Sequence, residues 1–329
     1  MPACPTTARP TPTPTRKPAT AGLTRAQWLR LALGASLAAG AGWPRLAPAQ
    51  PAGATPMNTR PIPSTGEALP VIGCGTWIGF DHAAGSAEHQ RLPGVLKALF
   101  DAGGALLDSS PMYGRAEQNT GDLLQQAGAR DKAFVATKVW TRGRQEGIAQ
   151  MEQSMRRLGT SRIDLMQVHN LVDWRTQLAT LRAWKAQGRI RYLGITHYTE
   201  SAFDEVEAVL KAETLDFLQI NYALDDRAAE QRLLPLAAQR GVAVIVNQPF
   251  GGGGLLRRLR ERPLPGWAAE IGCRSWAQLL LKFTLSHPAV TCAIPGTSRP
   301  EHMADNAAAG TGPVPDAAFW HRHAAEVLG

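Results

Sequence analysis

A carboxylate, a phenol, an ammonium and an imidazole stand between positions 108 and 169 of this chain, as Asp108, Tyr113, Lys138 and His169. Three of them end short apolar runs of the kind that form buried strands: ALLDS at Asp108, FVATK at Lys138 and IDLMQVH at His169. Tyr113 follows Asp108 by five residues, in a loop shaped by Pro111 and Gly114. Together they suit proton donation to a carbonyl oxygen while hydride reaches its carbon. A phenol titrates near pH 10, too high for an efficient acid at neutrality. A Lys ammonium held against Tyr113 is expected to lower that value, and Asp108 to anchor the Lys and keep it charged. A neutral His169 would hydrogen-bond the substrate oxygen. Each residue also has an ordinary reading: Tyr113 as a surface side chain, Asp108 as a turn cap through Ser109 or Ser110, His169 as a core histidine. Lys138 is the hardest to explain that way, because an ammonium ending an apolar strand must be paired or lie in a wet cleft.

Around the four residues run LDSSPMYG (107–114), ATK (136–138), LMQVH (165–169), GIT (194–196), LQINY (218–222) and IPGTSRPEHMADN (294–306). In this order and spacing the chain resembles the aldo-keto reductase family over roughly residues 57 to 310. The resemblance implies a (β/α)8 barrel, a nicotinamide cofactor and reduction of an aldehyde or ketone with Tyr113 as general acid. It implies a cofactor site formed by Thr76, Thr196, His197, Gln219, Asn247, Gly296, Thr297, Ser298, Arg299, His302, Asp305 and Asn306. Thr196, His197 and Gln219 would hold the carboxamide, with His197 where the family commonly has Asn. Asn247 stands where the family offers an aromatic ring to stack on the nicotinamide, a contact worth about 0.5–1.5 kcal/mol for aromatic pairs. Asp305 and Asn306 match positions at the adenosine end. Trp77 and Trp140 match the substrate-pocket lining, and an aromatic wall with one polar end suits a carbonyl compound with an apolar body.

The segment GTSRPEHMADN has a physical reading of its own. Ser298 and Glu301 have capping-box spacing, and a helix N-terminus with free amide donors attracts phosphate. Arg299 and His302 would meet a 2′-phosphate, favouring NADPH over NADH, although Gly296 replaces a lysine common in the family.

The elements needed to position these groups are legible. Eight β-rich runs, at 71–75, 105–109, 133–138, 163–169, 192–196, 217–222, 243–248 and 290–295, alternate with longer helical stretches. That pattern indicates βα units around a parallel sheet, covered on both faces. Ser275, three residues before Gln278, opens a helix, and Gly103, Gly188 and Gly241 punctuate helix ends. TRPIPSTGEALP (59–70) resembles the family's hairpin plugging the barrel floor. The expectation is an α/β chain with one (β/α)8 barrel over 57–329 and its site at the C-terminal ends of the strands. A doubly wound open sheet is the alternative, but no G-x-G-x-x-G follows the first strand.

The formal net charge of +8 invites a nucleic-acid reading that its distribution opposes. Six of the 35 Lys and Arg fall in residues 1–49, which hold no Asp or Glu; the 29 that remain face 27 acidic residues. The basicity belongs to a leader, and no nucleic-acid role is expected. Within residues 1–49, a Pro/Thr-rich stretch precedes LTRAQWLR, the apolar LALGASLAAGAG (31–42) and APAQ. This is the layout of an export signal, with an apolar core shorter than the roughly 20 residues that span a bilayer. TRAQWLR resembles a twin-arginine motif with Ala26 in the second arginine's place. The expected product is periplasmic or secreted, without stable membrane insertion after signal removal; initiation at Met57 would instead give a cytoplasmic one.

Cys4, Cys74, Cys273 and Cys292 are too few and too scattered for a disulfide framework or a zinc site, and no metal is expected. GGGG (251–254) lacks the Lys-Ser/Thr ending of a P-loop and is read as a cofactor-covering segment. Two other function classes fit parts of the sequence. One is a redox-sensing or regulatory module that keeps barrel and cofactor but turns over slowly; the other is an unrelated phosphate-binding barrel, which would not require a Tyr beside a Lys.

Overall fold

A short antiparallel hairpin, β1 (Thr59–Pro61) and β2 (Ala68–Pro70), precedes eight strands that pair in parallel and in sequence order. The computed structural model describes residues 56–329; the export leader read over 1–49 lies outside the described residues. The eight are β3 (Cys74–Gly75), β4 (Leu106–Asp108), β5 (Phe134–Val139), β6 (Ile163–His169), β7 (Ile190–Thr196), β8 (Phe217–Asn221), β9 (Ala243–Asn247) and β10 (Val290–Ala293). The first and last strands meet through parallel bridges, Ile72 to Ala293 and Gly75 to Gly296, closing the sheet into a barrel. Each run expected to be a strand forms one.

Helices α1 (Leu92–Asp101), α2 (Ala116–Gln126), α3 (Arg144–Arg157), α4 (Trp174–Ala186), α5 (Phe203–Ala212) and α6 (Leu233–Gln239) follow β3 to β8 in turn. Then α7 (Gly254–Leu259) and α8 (Trp276–Ser286) follow β9, and α9 (Pro300–Ala308) and α10 (Ala317–Leu328) follow β10. Ser275 caps α8, accepting the Gln278 backbone N–H at 3.1 Å. At the second box no such cap forms. The N-cap of α9 is Arg299 rather than Ser298, its side chain makes no cap bond, and Thr297 Oγ1 accepts the Arg299 N–H at 3.1 Å. Proline sets this start: Pro300 takes the first helical position, where its missing N–H is not needed, and so moves the boundary one residue on.

Two apolar layers follow from the period-two alternation of side chains across a strand. Val135, Val139, Met166, Val168, Leu218, Ile220, Val244 and Val246 face outward and pack with the helices. Leu106, Phe134, Ala136, Leu165, Tyr192, Phe217, Ala243, Ile245 and Cys292 form a separate cluster with Ile62 and Leu69 of the hairpin region. This inner cluster fills the lower barrel, with the hairpin as its floor. Thr65 Oγ1 and Glu67 Oε2 lie 2.8 and 2.5 Å from the Tyr192 hydroxyl, and Arg191 pairs with both Glu67 and Asp164.

The inner series continues upward with a change of chemistry. The next inward positions above Leu106, Ala136, Leu165, Phe217 and Ile245 are Asp108, Lys138, Gln167, Gln219 and Asn247. Apolar side chains seal the bottom of the barrel and polar ones crown the top.

Helix α2, which follows the Tyr113 loop, docks by close backbone approach. A Cβ on Gly121 would lie 2.1 Å from the Arg157 carbonyl oxygen and 2.9 Å from the Leu158 backbone. Gly121→Ala is therefore expected to destabilise by about 1–3 kcal/mol through overpacking, against a helix-propensity gain of about 1 kcal/mol at an open site. Urea unfolding checks the sign; a stabilised variant would show that this packing yields.

Candidate active site

The strand ends converge on one buried ion pair. Lys138 Nζ donates to Asp108 Oδ2 at 2.7 Å and to the Ser109 carbonyl at 2.7 Å, with both side chains almost wholly removed from solvent. Gln219 Nε2 reaches Asp108 Oδ2 at 3.1 Å, and Gln167 Nε2 reaches Oδ1 at 3.3 Å. A charged carboxylate only accepts, so each amide must turn its nitrogen toward Asp108 and its oxygen away. Burial pushes the Lys138 pKa down, but Asp108 and then Tyr113 push it up by more, so the ammonium persists.

Tyr113 lies over this pair, its ring centroid 5.0 Å from Lys138 Nζ. Its pKa stands above the usual phenol value: burial raises it, Lys138 lowers it, Asp108 raises it again. The expected net lowering by Lys138 is thus corrected, because desolvation and the neighbouring carboxylate outweigh one ammonium already neutralised by that carboxylate. His169 packs its ring edge-on to Tyr113 at 5.9 Å. Burial, Lys138 and His197 in that order push its pKa down to about 2, so the imidazole is neutral at physiological pH.

Loop contacts fix the phenol. Thr76 donates both its backbone N–H and its hydroxyl to the Asp108 carbonyl, at 2.9 and 3.0 Å. Asp81 Oδ1 accepts the Arg115 N–H at 2.9 Å, and Asn119 Nδ2 donates to the Phe80 and His82 carbonyls. Gly114 is required between them: its φ is +58°, and a Cβ would fall 2.3 Å from the Asp81 carboxylate. Phe80, close in sequence to Trp77, is fully buried in the core, whereas Trp77 and Trp140 stand exposed at the barrel mouth. The Trp140 ring is 6.5 Å from that of His169.

The residues assigned to a cofactor fall into two groups. Thr196, His197, Gln219 and Asn247 end neighbouring strands, with Thr196 registered against both His169 and Gln219. Asn247 Nδ2 donates to the His197 carbonyl at 3.1 Å, and His197 Nδ1 accepts the Tyr198 N–H at 3.0 Å. Gln219 Oε1, Asn247 Oδ1 and Asn170 Oδ1 are buried without a protein partner. Unpaired buried acceptors cost free energy unless a ligand donor meets them. An amide-bearing ring such as nicotinamide has that donor, so the crown fits the group.

Gly296, Thr297, Ser298, Arg299 and His302 gather at the start of α9, with Gly296, Arg299 and His302 exposed. Arg299 Nε is engaged with Glu301 Oε1 at 2.6 Å. Asn306 is buried. Asp305 is turned to another task, its oxygens accepting from Ser275 Oγ at 2.6 Å and Gln278 Nε2 at 2.7 Å, which ties α9 to the start of α8. Among the described residues, no group of three or more His, Cys, Asp and Glu could hold a metal ion, and no helix is long and apolar enough to cross a membrane.

Several positions escape a linear reading. Gln167 lies two residues before His169 and so shares its inward face, a signal available from strand period alone. Asp81, Asn119 and Ser110 carry no such signal, since their partners lie 34 to 59 positions away.

The neutral state of His169 has a measurable consequence. As pH falls through about 6.5 the unfolded imidazole binds a proton that the folded one refuses, so this site withdraws stability below pH 6.5. The loss between pH 7.5 and 5 is expected to be about 1–2 kcal/mol smaller in His169→Gln than in wild type. Urea midpoints at the two pH values test this; equal losses would mean that His169 is not held neutral.

The model of the aldo/keto reductase family matches residues 71–320. The chain is 31% identical over 260 residues to methylglyoxal reductase YeaE of Escherichia coli, covering 77% of this chain and 89% of that one. It is 29% identical over 246 residues to the NADH-specific methylglyoxal reductase of the same organism, covering 64% and 73%. Among solved structures, an aldo-keto reductase from Klebsiella pneumoniae in complex with NADPH is similar with a TM-score of 0.67 and 29% identity, covering 78% of this chain and 90% of that one.

Proposed function

The chain belongs to the aldo/keto reductase family, and from that premise we propose that it reduces an aldehyde or ketone to an alcohol with Tyr113 as the proton donor. The observation that carries this reading is the buried Lys138–Asp108 pair under Tyr113, beside a neutral imidazole. Two similar proteins are named as methylglyoxal reductases, which supports a small carbonyl substrate.

When bound, the reduced nicotinamide supplies hydride to the carbonyl carbon. Gln219 Oε1, left without a partner, would accept from the carboxamide N–H, the amide's orientation being set by the Asp108 carboxylate that takes its Nε2. Thr196 and His197 would border the same group, and the Asn247 amide holds the β7 end in place through the His197 carbonyl. With Asn at 247 there is no aromatic stacking at that position, so the cofactor's hold rests more heavily on these hydrogen bonds.

At the substrate, His169 donates a hydrogen bond to the carbonyl oxygen and polarises it. Tyr113 transfers its proton to that oxygen as negative charge develops there. The phenolate left behind faces the Lys138 ammonium, whose attraction offsets the desolvation that keeps Tyr113 protonated at rest. Trp77 and Trp140 form apolar walls at the mouth. The phenol and imidazole gathered over this pair, with Tyr113 against both Lys138 and His169, favour the enzyme over a regulatory module with little turnover.

Tyr113→Phe is expected to cut carbonyl reduction at least 10²-fold, the lower bound of a general acid's contribution, while leaving the cofactor dissociation constant within about twofold. Turnover measured beside fluorescence titration tests it. Activity within tenfold of wild type would remove the proton-donor role.

NADPH is the proposed cofactor, through Arg299 and His302 at the start of α9. A related enzyme's structure holds NADPH, whereas another relative is NADH-specific. Arg299 engages Glu301 through Nε alone, and this neighbouring carboxylate competes for its charge, so a bond to a 2′-phosphate belongs at the lower end of the 1.5–3 kcal/mol range. Arg299→Ala is expected to weaken NADPH about tenfold and NADH hardly at all. Equal dissociation constants for the two cofactors in wild type would refute this assignment.

A further inference from the structure

His169 offers one ring nitrogen to the barrel mouth and turns the other inward. Nδ1 lies 3.1 Å from Ser110 Oγ, a hydroxyl with no exposure to solvent, and no other hydrogen bond to this imidazole forms among the described residues. Nε2 is therefore the nitrogen left for a substrate. Since the ring is neutral, only one nitrogen carries a proton, and a carbonyl oxygen can be bonded only if that nitrogen is Nε2.

Proton bookkeeping at Ser110 decides between the two tautomers. Ser110 Oγ already accepts the Met112 N–H, at a long 3.5 Å. If Nδ1 carried the ring proton it would donate to the same oxygen, and the serine's own hydrogen would be buried with no acceptor. If Nδ1 is bare, the hydroxyl hydrogen points at it and every polar group in the chain Met112 N–H to Ser110 to His169 is satisfied. A buried hydroxyl without an acceptor is costly, so the second arrangement prevails.

We propose that Ser110 is a positioning residue that holds His169 in the Nε2–H tautomer required to bond the substrate oxygen. The proposal rests on the carbonyl-reduction reading for its functional consequence, but the tautomer is a property of the protein alone. Ser110 also sits in the Tyr113 loop, where its carbonyl accepts the Tyr113 N–H at 3.0 Å. One residue thus links the placement of the phenol to the protonation pattern of the imidazole.

The test is a long-range ¹H–¹⁵N correlation spectrum of ¹⁵N-histidine-labelled full-length chain at pH 7, with His169→Gln identifying the resonance. Wild type should show a protonated Nε2 and a bare Nδ1. Ser110→Ala should shift the ring toward a mixture of tautomers. In the same variant kcat should fall about 2- to 12-fold, as for one ordinary hydrogen bond lost, with the cofactor dissociation constant unchanged. A protonated Nδ1 in wild type overturns the proposal, as does a Ser110→Ala variant whose tautomer stays at Nε2–H, whatever happens to its rate. If wild type shows the Nε2–H form, Ser110→Ala disturbs it, and no carbonyl substrate is reduced by either, the assignment of Ser110 stands while the functional reading falls.

Discussion

The ion pair between Lys138 and Asp108 is the interaction around which the upper barrel is organised. Both groups are withdrawn from water, and burying charges is tolerated only when each is paired and hydrogen-bonded. Asp108 meets that demand with Lys138, Gln219 and Gln167, and Lys138 with Asp108 and the Ser109 carbonyl. Removing one partner from such a pair strands the other, at a cost of about 3–5 kcal/mol. The pair therefore couples β4, β5, β6 and β8 at the level where the phenol and the imidazole must sit. It also orients the Gln219 amide, so a requirement of folding fixes which end of that amide a ligand meets.

The strained non-glycine backbone of the described residues lies in the loops around the same layer. Among the described residues, five non-glycine residues hold positive φ: Ile78, Asn170, Leu171, Asp173 and Gln248, all in loops that follow β3, β6 and β9. A β-branched residue such as Ile78 is a genuine outlier in that region, and such strain persists only where surrounding contacts over-determine it. Here those contacts include the Thr76 bonds to the Asp108 carbonyl and the clamp of Asp81 and Asn119 across neighbouring loops. The regular barrel below, sealed by aromatic and aliphatic side chains from alternate strand positions, supplies the rigid base against which the loops are held.

Electrostatics at the site depends on how burial is shared. Tyr113 is half-buried and its proton is held more firmly than in water, while His169 is buried enough to refuse one. A donor that keeps its proton until a negative charge develops, beside a neutral hydrogen-bond donor, is an arrangement suited to protonating an oxygen only as it becomes basic. Lys138 pulls the Tyr113 pKa down at rest, but burial and Asp108 together outweigh it; its attraction grows once the phenol gives up its proton.

Much of this molecule was written in local sequence. Eight apolar runs separated by helical stretches specify strands buried on both faces, and the polar residues ending Leu-Leu-Asp, Ala-Thr-Lys and Gln-Val-His mark where the barrel opens. Period-two alternation even places Gln167 on the same face as His169. Other features are not local. Ser298 and Glu301 have the spacing of a capping box, yet Pro300 moves the helix start and Glu301 pairs with Arg299 instead. Asp305 is drawn to the N-terminus of α8, a contact set by how two helices pack. The elevated proton affinity of Tyr113, the bond from Ser110 to His169 and the clamp by Asp81 likewise arise only in the folded chain. Residue type and spacing determine which groups end each strand, because strand period and hydrophobicity act over a few residues. Which proton each group holds was left to the tertiary structure, because desolvation and hydrogen-bond partners come from segments that meet only when the barrel closes.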